Sequence, residues 1–255
     1  MIIKKTKKFI RAMGFDVVRY PHEQRFPPDM PSYAVEIYKS VNAYTMSSPE
    51  RVYALCEAVR YINENSIEGA VVECGVWKGG SMMAVAKSFM DLGDTSRELY
   101  LFDTFEGMSP PTSNDKTFDG VSAESLLEQS NDLNKESSDS VWCYANLQVV
   151  KEAMLTTGYP SQKIHFVEGR VEQTIPNNVP EKISLLRLDT DWYESTRHEM
   201  EHLFPRLVPG GVIIIDDYGH WQGAKKAIDE YIKFNKVKIL LNRIDYTGRI
   251  AVKVH

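Results

Sequence analysis

Residues 70–81, Ala70-Val71-Val72-Glu73-Cys74-Gly75-Val76-Trp77-Lys78-Gly79-Gly80-Ser81, decide the fold. A short apolar run (70–76) carries an acid, passes through a glycine-rich turn and enters residues 81–92, whose nearly unbroken apolar character reads as a buried helix. A strand that becomes a helix through glycines brings backbone N–H groups close to a ligand at the helix N-terminus. Working outward, residues 99–103, 164–168, 185–189 and 212–216 are further apolar runs of strand length, the pattern of parallel strands covered on both faces. Helical stretches separate most of them. Ser48-Pro49-Glu50 reads as an N-cap, a first-turn proline and an acid suited to the helix dipole, ahead of Val52, Leu55, Cys56, Val59 and Ile62 at helical spacing. Residues 194–207 and 224–234 carry amphipathic stripes. Residues 236–244 and 249–254 flank Asp245-Tyr246-Thr247-Gly248 and read as a closing hairpin. The expected architecture is α/β: a doubly wound, mostly parallel seven-stranded sheet with helices on both faces.

The chain of 255 residues suits one such domain with additional segments. Residues 1–43 are expected as an N-terminal helical or irregular extension and residues 44–255 as the main domain. Within that domain the polar stretch 109–140, too long for an ordinary connection, reads as a mobile lid. Hydrophobic residues at 43% and charged residues at 25% exclude a disordered or collagen-like chain. A net charge of −5 argues against nucleic acid as partner. Cys56, Cys74 and Cys143 form no Cys-x-x-Cys pair and suggest neither a disulfide framework nor structural zinc, so a reducing cytoplasm is expected. The basic N-terminus lacks the apolar core of a secretory signal, and no stretch reads as a transmembrane segment. An amphipathic helix there is expected to pack on the domain or on a second subunit, in a homo-oligomer, rather than on a membrane.

Open parallel sheets bind ligands beyond the carboxyl ends of their strands, and four strands here carry acids at or near that end: Glu73, Asp103, Asp189 and the pair Asp216-Asp217. Glu73-x-Gly75-x-x-x-Gly79 lacks the G-x-G-x-x-G spacing of a dinucleotide site. It is closer to the acid-x-Gly-x-x-x-Gly turn of S-adenosylmethionine sites. Asp103, ending the second strand, stands where a carboxylate grips a ribose diol. Asp216 and Asp217 follow Asp189 by 27 and 28 residues, at the end of the next strand. Carboxylates converging there repel one another unless a cation neutralises them, and an all-oxygen set suits Mg²⁺ or Ca²⁺. The competing reading pairs these acids with Arg187 or Arg197. His198-Glu199-Met200-Glu201-His202 matches the zinc-protease pattern H-E-x-x-H, but Leu203, Phe204 and Leu207 take the buried side and no third ligand follows, so it reads as a solvated helix face. No serine-hydrolase elbow or P-loop is present.

The runs 72–81, Phe102-Asp103-Thr104-Phe105-Glu106-Gly107-Met108, Leu188-Asp189-Thr190-Asp191-Trp192-Tyr193-Glu194-Ser195-Thr196, and Pro209-Gly210-Gly211 through Asp216-Asp217-Tyr218-Gly219 resemble the macrocin O-methyltransferase family, which methylates sugar hydroxyls of antibiotics. The resemblance spans roughly residues 44–231 and implies a class I methyltransferase-like fold. It implies that Glu73, Gly75 and Ser81 hold the amino-acid part of S-adenosylmethionine, Asp103 its ribose, and Asp189, Asp216 and Asp217 a Mg²⁺ ion. Met46, Gly79, Thr104 and Gly169 are further expected cofactor contacts. The acceptor is expected to be a glycoside or other hydroxylated small molecule. Asp189 is the first candidate for the base, with Asp191 and then His220 as alternatives. A phenol or catechol O-methyltransferase and a non-catalytic methyltransferase-like binding module are the competing functions.

Overall fold

The computed structural model describes residues 10, 11, 13, 26–130, 140 and 142–254. The expected N-terminal amphipathic helix lies outside the described residues except for 10, 11 and 13. Of the first thirty residues, 26–30 close a turn in which the Met30 N–H donates to the Pro27 carbonyl at 3.0 Å. A compact unit begins at Pro31 and runs to the C-terminus. It takes in α1 (Ser32–Val41), a helix the sequence reading places with the extension.

The sheet has seven strands: β1 (Ala70–Cys74), β2 (Leu99–Asp103), β3 (Ile164–Glu168), β4 (Ile183–Leu188), β5 (Leu207–Ile215), β6 (Asn242–Arg243) and β7 (Arg249–Val252), in the order β3-β2-β1-β4-β5-β7-β6. The first five are parallel; β7 runs antiparallel to β5 and β6 antiparallel to β7. The chain winds outward through β1, β2 and β3, then returns to lay β4 on the other side of β1. The switch point between β1 and β4 is where such sheets open a ligand crevice.

Side chains alternate across each strand. Val72, Cys74, Leu186, Leu188, Ile213 and Ile215 face one way and pack with Val171 of the short α6 (Val171–Thr174) and with Met200, Leu203, Phe204 and Ile228. The last four come from α7 (Tyr193–His202), the 3₁₀ turn after it, and α8 (Gln222–Phe234). On the other side α2 (Pro49–Glu64) packs on β4, β5, α1 and α3 (Gly80–Asp91). Its start is the expected one: the Ser48 hydroxyl accepts from the Arg51 N–H at 3.2 Å and Pro49 is the first helical residue.

The hairpin differs from expectation. Alternating residues Val237, Ile239 and Leu241 pack against the core, so the two-residue period is real, but β6 keeps only Asn242 and Arg243 in the ladder. The stretch 109–140 also differs. Residues 109–130 are not a bare polar loop: α4 (Ala123–Gln129) buries Ala123 and Leu127 against Trp192, with Met108, Trp142 and Trp221 around them. Asp115, 1% exposed, accepts from the Thr112 N–H (2.6 Å) and the Tyr193 N–H (2.7 Å), pinning the segment to the start of α7. Residues 131–139 of the expected lid lie outside the described residues.

Candidate active site

The turn after β1 approaches the end of β4 so closely that a Cβ on Gly75 would lie 2.1 Å from the Asp189 carbonyl oxygen. With φ at +82°, only glycine fits there. The approach joins the glycine turn and the acidic strand ends in one cleft of about 280 Å³, the scale of a small-molecule site rather than a polymer groove. Met46, Gly75, Ser81, Asp103, Thr104, Gly169, Asp189, Asp191, Asp216, Asp217 and His220 all line it.

Two expected cofactor contacts do not. Gly79 turns its open side toward Val150 and Met154 of α5 (Leu147–Leu155), away from the cleft. Glu73 is fully buried beneath the floor, because the β1 pleat points it at Arg187 on neighbouring β4. One Glu73 oxygen accepts from the Arg187 guanidinium at 2.6 Å and the other has no partner among the described residues. Burial pushes the Glu73 carboxyl up to about 7, against the pull of Arg187.

Arg187 is the hub. Only 4% exposed, it donates to Glu73, to Asp189 (2.6 Å), to Asp216 (2.7 Å) and to the Ser47 hydroxyl (3.2 Å). Arg51 grips the other Asp216 oxygen and pairs with Asp245 at 3.1 Å. The sequence offers Arg187 only as an alternative partner for the acids. Its signal there is a lone charge inside the otherwise apolar run of β4. Arg51, on the polar side of α2, has no comparable signal. Arg197, the other suggested partner, pairs instead with Glu201 at 2.9 Å.

Asp189, Asp191 and Asp217 form the group whose carboxylate oxygens lie within 4.8 Å of one another. Asp191 reaches it because the chain turns sharply after β4, with Asp191 at φ +67°, a region aspartate tolerates better than most residues. The expected metal set named Asp216 in its place, but both Asp216 oxygens face arginines. Burial and mutual repulsion hold the Asp189 and Asp217 carboxyls well above the usual carboxylate range, and push Asp191 to about 7, burial being the largest cause in each case. Among the described residues no ion pair neutralises Asp191. Six carboxylates (Glu73, Asp189, Asp191, Asp216, Asp217, Asp245) thus face two guanidiniums (Arg51, Arg187), a surplus of acid in an all-oxygen setting that fits a hard divalent cation.

Asp103 does something the sequence did not suggest. One oxygen accepts from the Val76 N–H (2.6 Å) and the Trp77 N–H (3.1 Å), the other from the Phe105 N–H (2.7 Å). A carboxylate accepts about four hydrogen bonds; two here latch the glycine turn, and the Phe105 N–H and the Thr104 hydroxyl (3.5 Å) take the other oxygen, so a two-handed grip on a diol is not open to it. His220 lines the cleft with Nδ1 2.5 Å from the Tyr246 hydroxyl, and burial lowers its pKa.

The H-E-x-x-H pattern holds no metal geometry. His198 Nε2 lies 3.1 Å from the Ile175 carbonyl, and Glu199 is fully buried, accepting from the Thr190 hydroxyl at 2.9 Å. The solvated-face expectation is therefore wrong for Glu199, which packs inward beside Met200.

The sequence that builds this arrangement, a glycine turn facing an acidic cluster across the β1–β4 switch point, matches the family model of macrocin O-methyltransferase (TylF) over residues 25–251. The chain belongs to the macrocin O-methyltransferase family. It is an O-methyltransferase, and membership implies S-adenosylmethionine as donor. The chain is similar to the 8-demethyl-8-(2,3-dimethoxy-alpha-L-rhamnosyl)-tetracenomycin-C 4'-O-methyltransferase of Streptomyces olivaceus, 31% identical over 206 residues (81% of this chain, 74% of that one). The mycinamicin III 3''-O-methyltransferase of Micromonospora griseorubida is 30% identical over 214 residues (84% and 79%). Among solved structures, the O-methyltransferase NovP superposes with a TM-score of 0.70 at 24% identity, covering 83% of each chain, which supports the fold. No helix among the described residues is long and apolar enough to cross a membrane.

Proposed function

We propose that this macrocin O-methyltransferase family member transfers a methyl group from S-adenosylmethionine to a hydroxyl of a sugar or glycosylated small molecule, with Mg²⁺ at the acidic cluster. The carrying observation is the trio Asp189, Asp191 and Asp217 in the same cleft as the latched glycine turn. Names of the relatives point the same way, one acting on a rhamnosyl compound.

The donor supplies an electrophilic sulfonium methyl. Its place is the pocket of Gly75, Ser81, Thr104 and Gly169, where the Asp103 latch fixes the backbone before binding, so little ordering cost remains at the moment of reaction. A hard cation held by Asp189 and Asp217 would stabilise negative charge developing on the acceptor oxygen. Arg187 and Arg51 hold Asp216 beside that pair and keep the strand ends in register. Asp191 takes the acceptor's proton: among the described residues it forms no ion pair, and it lines the cleft beside Asp189 and Asp217. Asp189, the first sequence candidate, is tied to Arg187 and better placed to hold charge than to move a proton.

Titrating Mg²⁺ into chelator-treated enzyme tests the proposal. Wild type should be inactive without the metal, and Asp189→Asn and Asp217→Asn should raise the Mg²⁺ needed for half activity. Asp191→Asn should lower kcat about a hundredfold or more with the Mg²⁺ requirement unchanged. A raised requirement in Asp191→Asn would make it the third ligand instead, and full activity in chelator would sink the metal reading.

A further inference from the structure

Phe118, His220 and Tyr246 come from three separate segments and meet at the mouth of the cleft. Phe118 lies 6.0 Å from the His220 ring and 5.7 Å from the Tyr246 ring, centroid to centroid, and His220 and Tyr246 are 5.8 Å apart. His220 lines the cleft, three residues beyond Asp217, while Phe118 and Tyr246 do not line it but touch the His220 ring from the solvent side, half or more of each being exposed. Phe118 is 62% exposed and Tyr246 50%. Exposure alone says little, since Phe234 is 86% exposed; the mutual ring contacts are what set this group apart.

The backbone under each ring is fixed. Thr117, next to Phe118, bridges Trp221 and accepts from the Gln222 side chain at 2.8 Å, and the Lys116 carbonyl accepts from the Gln222 N–H at 2.8 Å. Asp245, before Tyr246, accepts from the Ser48 hydroxyl (2.8 Å) and the Gly248 N–H (2.8 Å). Thr247, after it, donates to the Asp216 carbonyl at 2.6 Å. The turn lies so close to the strand-end loop that a Cβ on Gly219 would sit 2.2 Å from the Tyr246 carbonyl oxygen. An apolar patch held this firmly beside a cleft, with the Phe118 ring mostly in water, is arranged to receive a ligand's apolar surface rather than to fill a core.

We propose that Phe118, His220 and Tyr246 form an aromatic rim that stacks on the apolar ring of the aglycone, the group the acceptor sugar carries. This rests on the reading that a glycoside hydroxyl meets the acidic cluster. The layering then decides the occupant: a sugar reaching Asp189, Asp191 and Asp217 occupies the cleft beside the donor, so the rim next to His220 meets what lies beyond the sugar. Aromatic faces recognise a flat apolar ring without requiring particular hydrogen bonds, so the rim selects for aglycone shape while the cluster selects the hydroxyl.

The test uses the full chain and two glycosides of one 6-deoxyhexose, methyl and 2-naphthyl. Wild type should favour the naphthyl glycoside in kcat/KM by roughly threefold to tenfold, the range expected of one or two aromatic contacts. In Phe118→Ala and Tyr246→Ala that ratio should fall toward one, with S-adenosylmethionine affinity and the ratio of a Phe234→Ala control unchanged. Phe118→Leu, which keeps bulk but loses the ring, serves if the alanine variant misfolds. A wild-type ratio near one, or a preference surviving in the rim variants, overturns the proposal. If wild type methylates neither glycoside, the functional reading fails. The rim is then judged by fluorescence titration with the naphthyl glycoside, where weaker binding by Phe118→Ala supports it and equal binding refutes it.

Discussion

Replacing Arg187 by leucine removes a cation that touches Glu73, Asp189 and Asp216 together, all at 2.6–2.7 Å. Arg187, Glu73 and Asp216 have side chains no more than 5% exposed, so solvent cannot take over the lost partner. Breaking a buried pair from one side costs about 3–5 kcal/mol, because the remaining charge stays buried without compensation. For a chain of this size that corresponds to a fall in Tm of roughly 6–20 °C. The effect depends on pH with a definite sign. The folded Glu73 carboxyl is pushed up to about 7 from an ordinary value of 4.5, so between those pH values the folded state holds a proton that the unfolded chain releases. Its contribution to stability is therefore fully present below about pH 4.5 and is lost as pH rises through 7. Without Arg187 the same carboxyl rises further, so the loss in Arg187→Leu should be larger at pH 8 than at pH 5.5. Thermal unfolding by circular dichroism in chelator, at both pH values, measures this. A loss below about 1 kcal/mol at pH 8, or one equal at the two pH values, would refute Arg187 as the electrostatic hub.

Three further outcomes follow from the same geometry. Asp103→Ala should weaken S-adenosylmethionine binding by roughly tenfold to a hundredfold in calorimetry and also lower Tm, since three backbone amides lose their acceptor; unchanged affinity and Tm would remove the latch. Glu199→Gln should shift Tm by less than roughly 3 °C, because burial holds the Glu199 carboxyl well above the usual carboxylate range, favouring the neutral form, and the amide keeps a neutral group bonded to Thr190. A large loss would show that the buried group is ionised. His198→Ala should leave activity and its Mg²⁺ dependence intact, and loss of activity restored by Zn²⁺ would revive the protease-like motif.

The strands, their parallel run and the acids at their carboxyl ends were legible in the chain itself. Apolar runs of five or six residues, glycine turns and helix caps are local signals, and local backbone preference and burial decide them. That is why β2 and β3 begin and end where the sequence puts them, and why the cleft gathers Gly75, Ser81, Asp103, Asp189 and Asp217 as expected. Partnership among charged groups is not local. Arg51 meets Asp216 across 165 residues and Arg187 meets Ser47 across 140, contacts that exist only because the sheet order sets β4 between β1 and β5 and lays α2 over their ends. The same distances turned Glu73 from a cofactor ligand into a buried partner of Arg187 and gave Asp191, rather than Asp216, its place in the acidic trio. Composition and periodicity say which side chains are buried or end a strand. Which opposite charge stands within 3 Å of each is set by how separate strands and helices pack, and only the tertiary structure decided that.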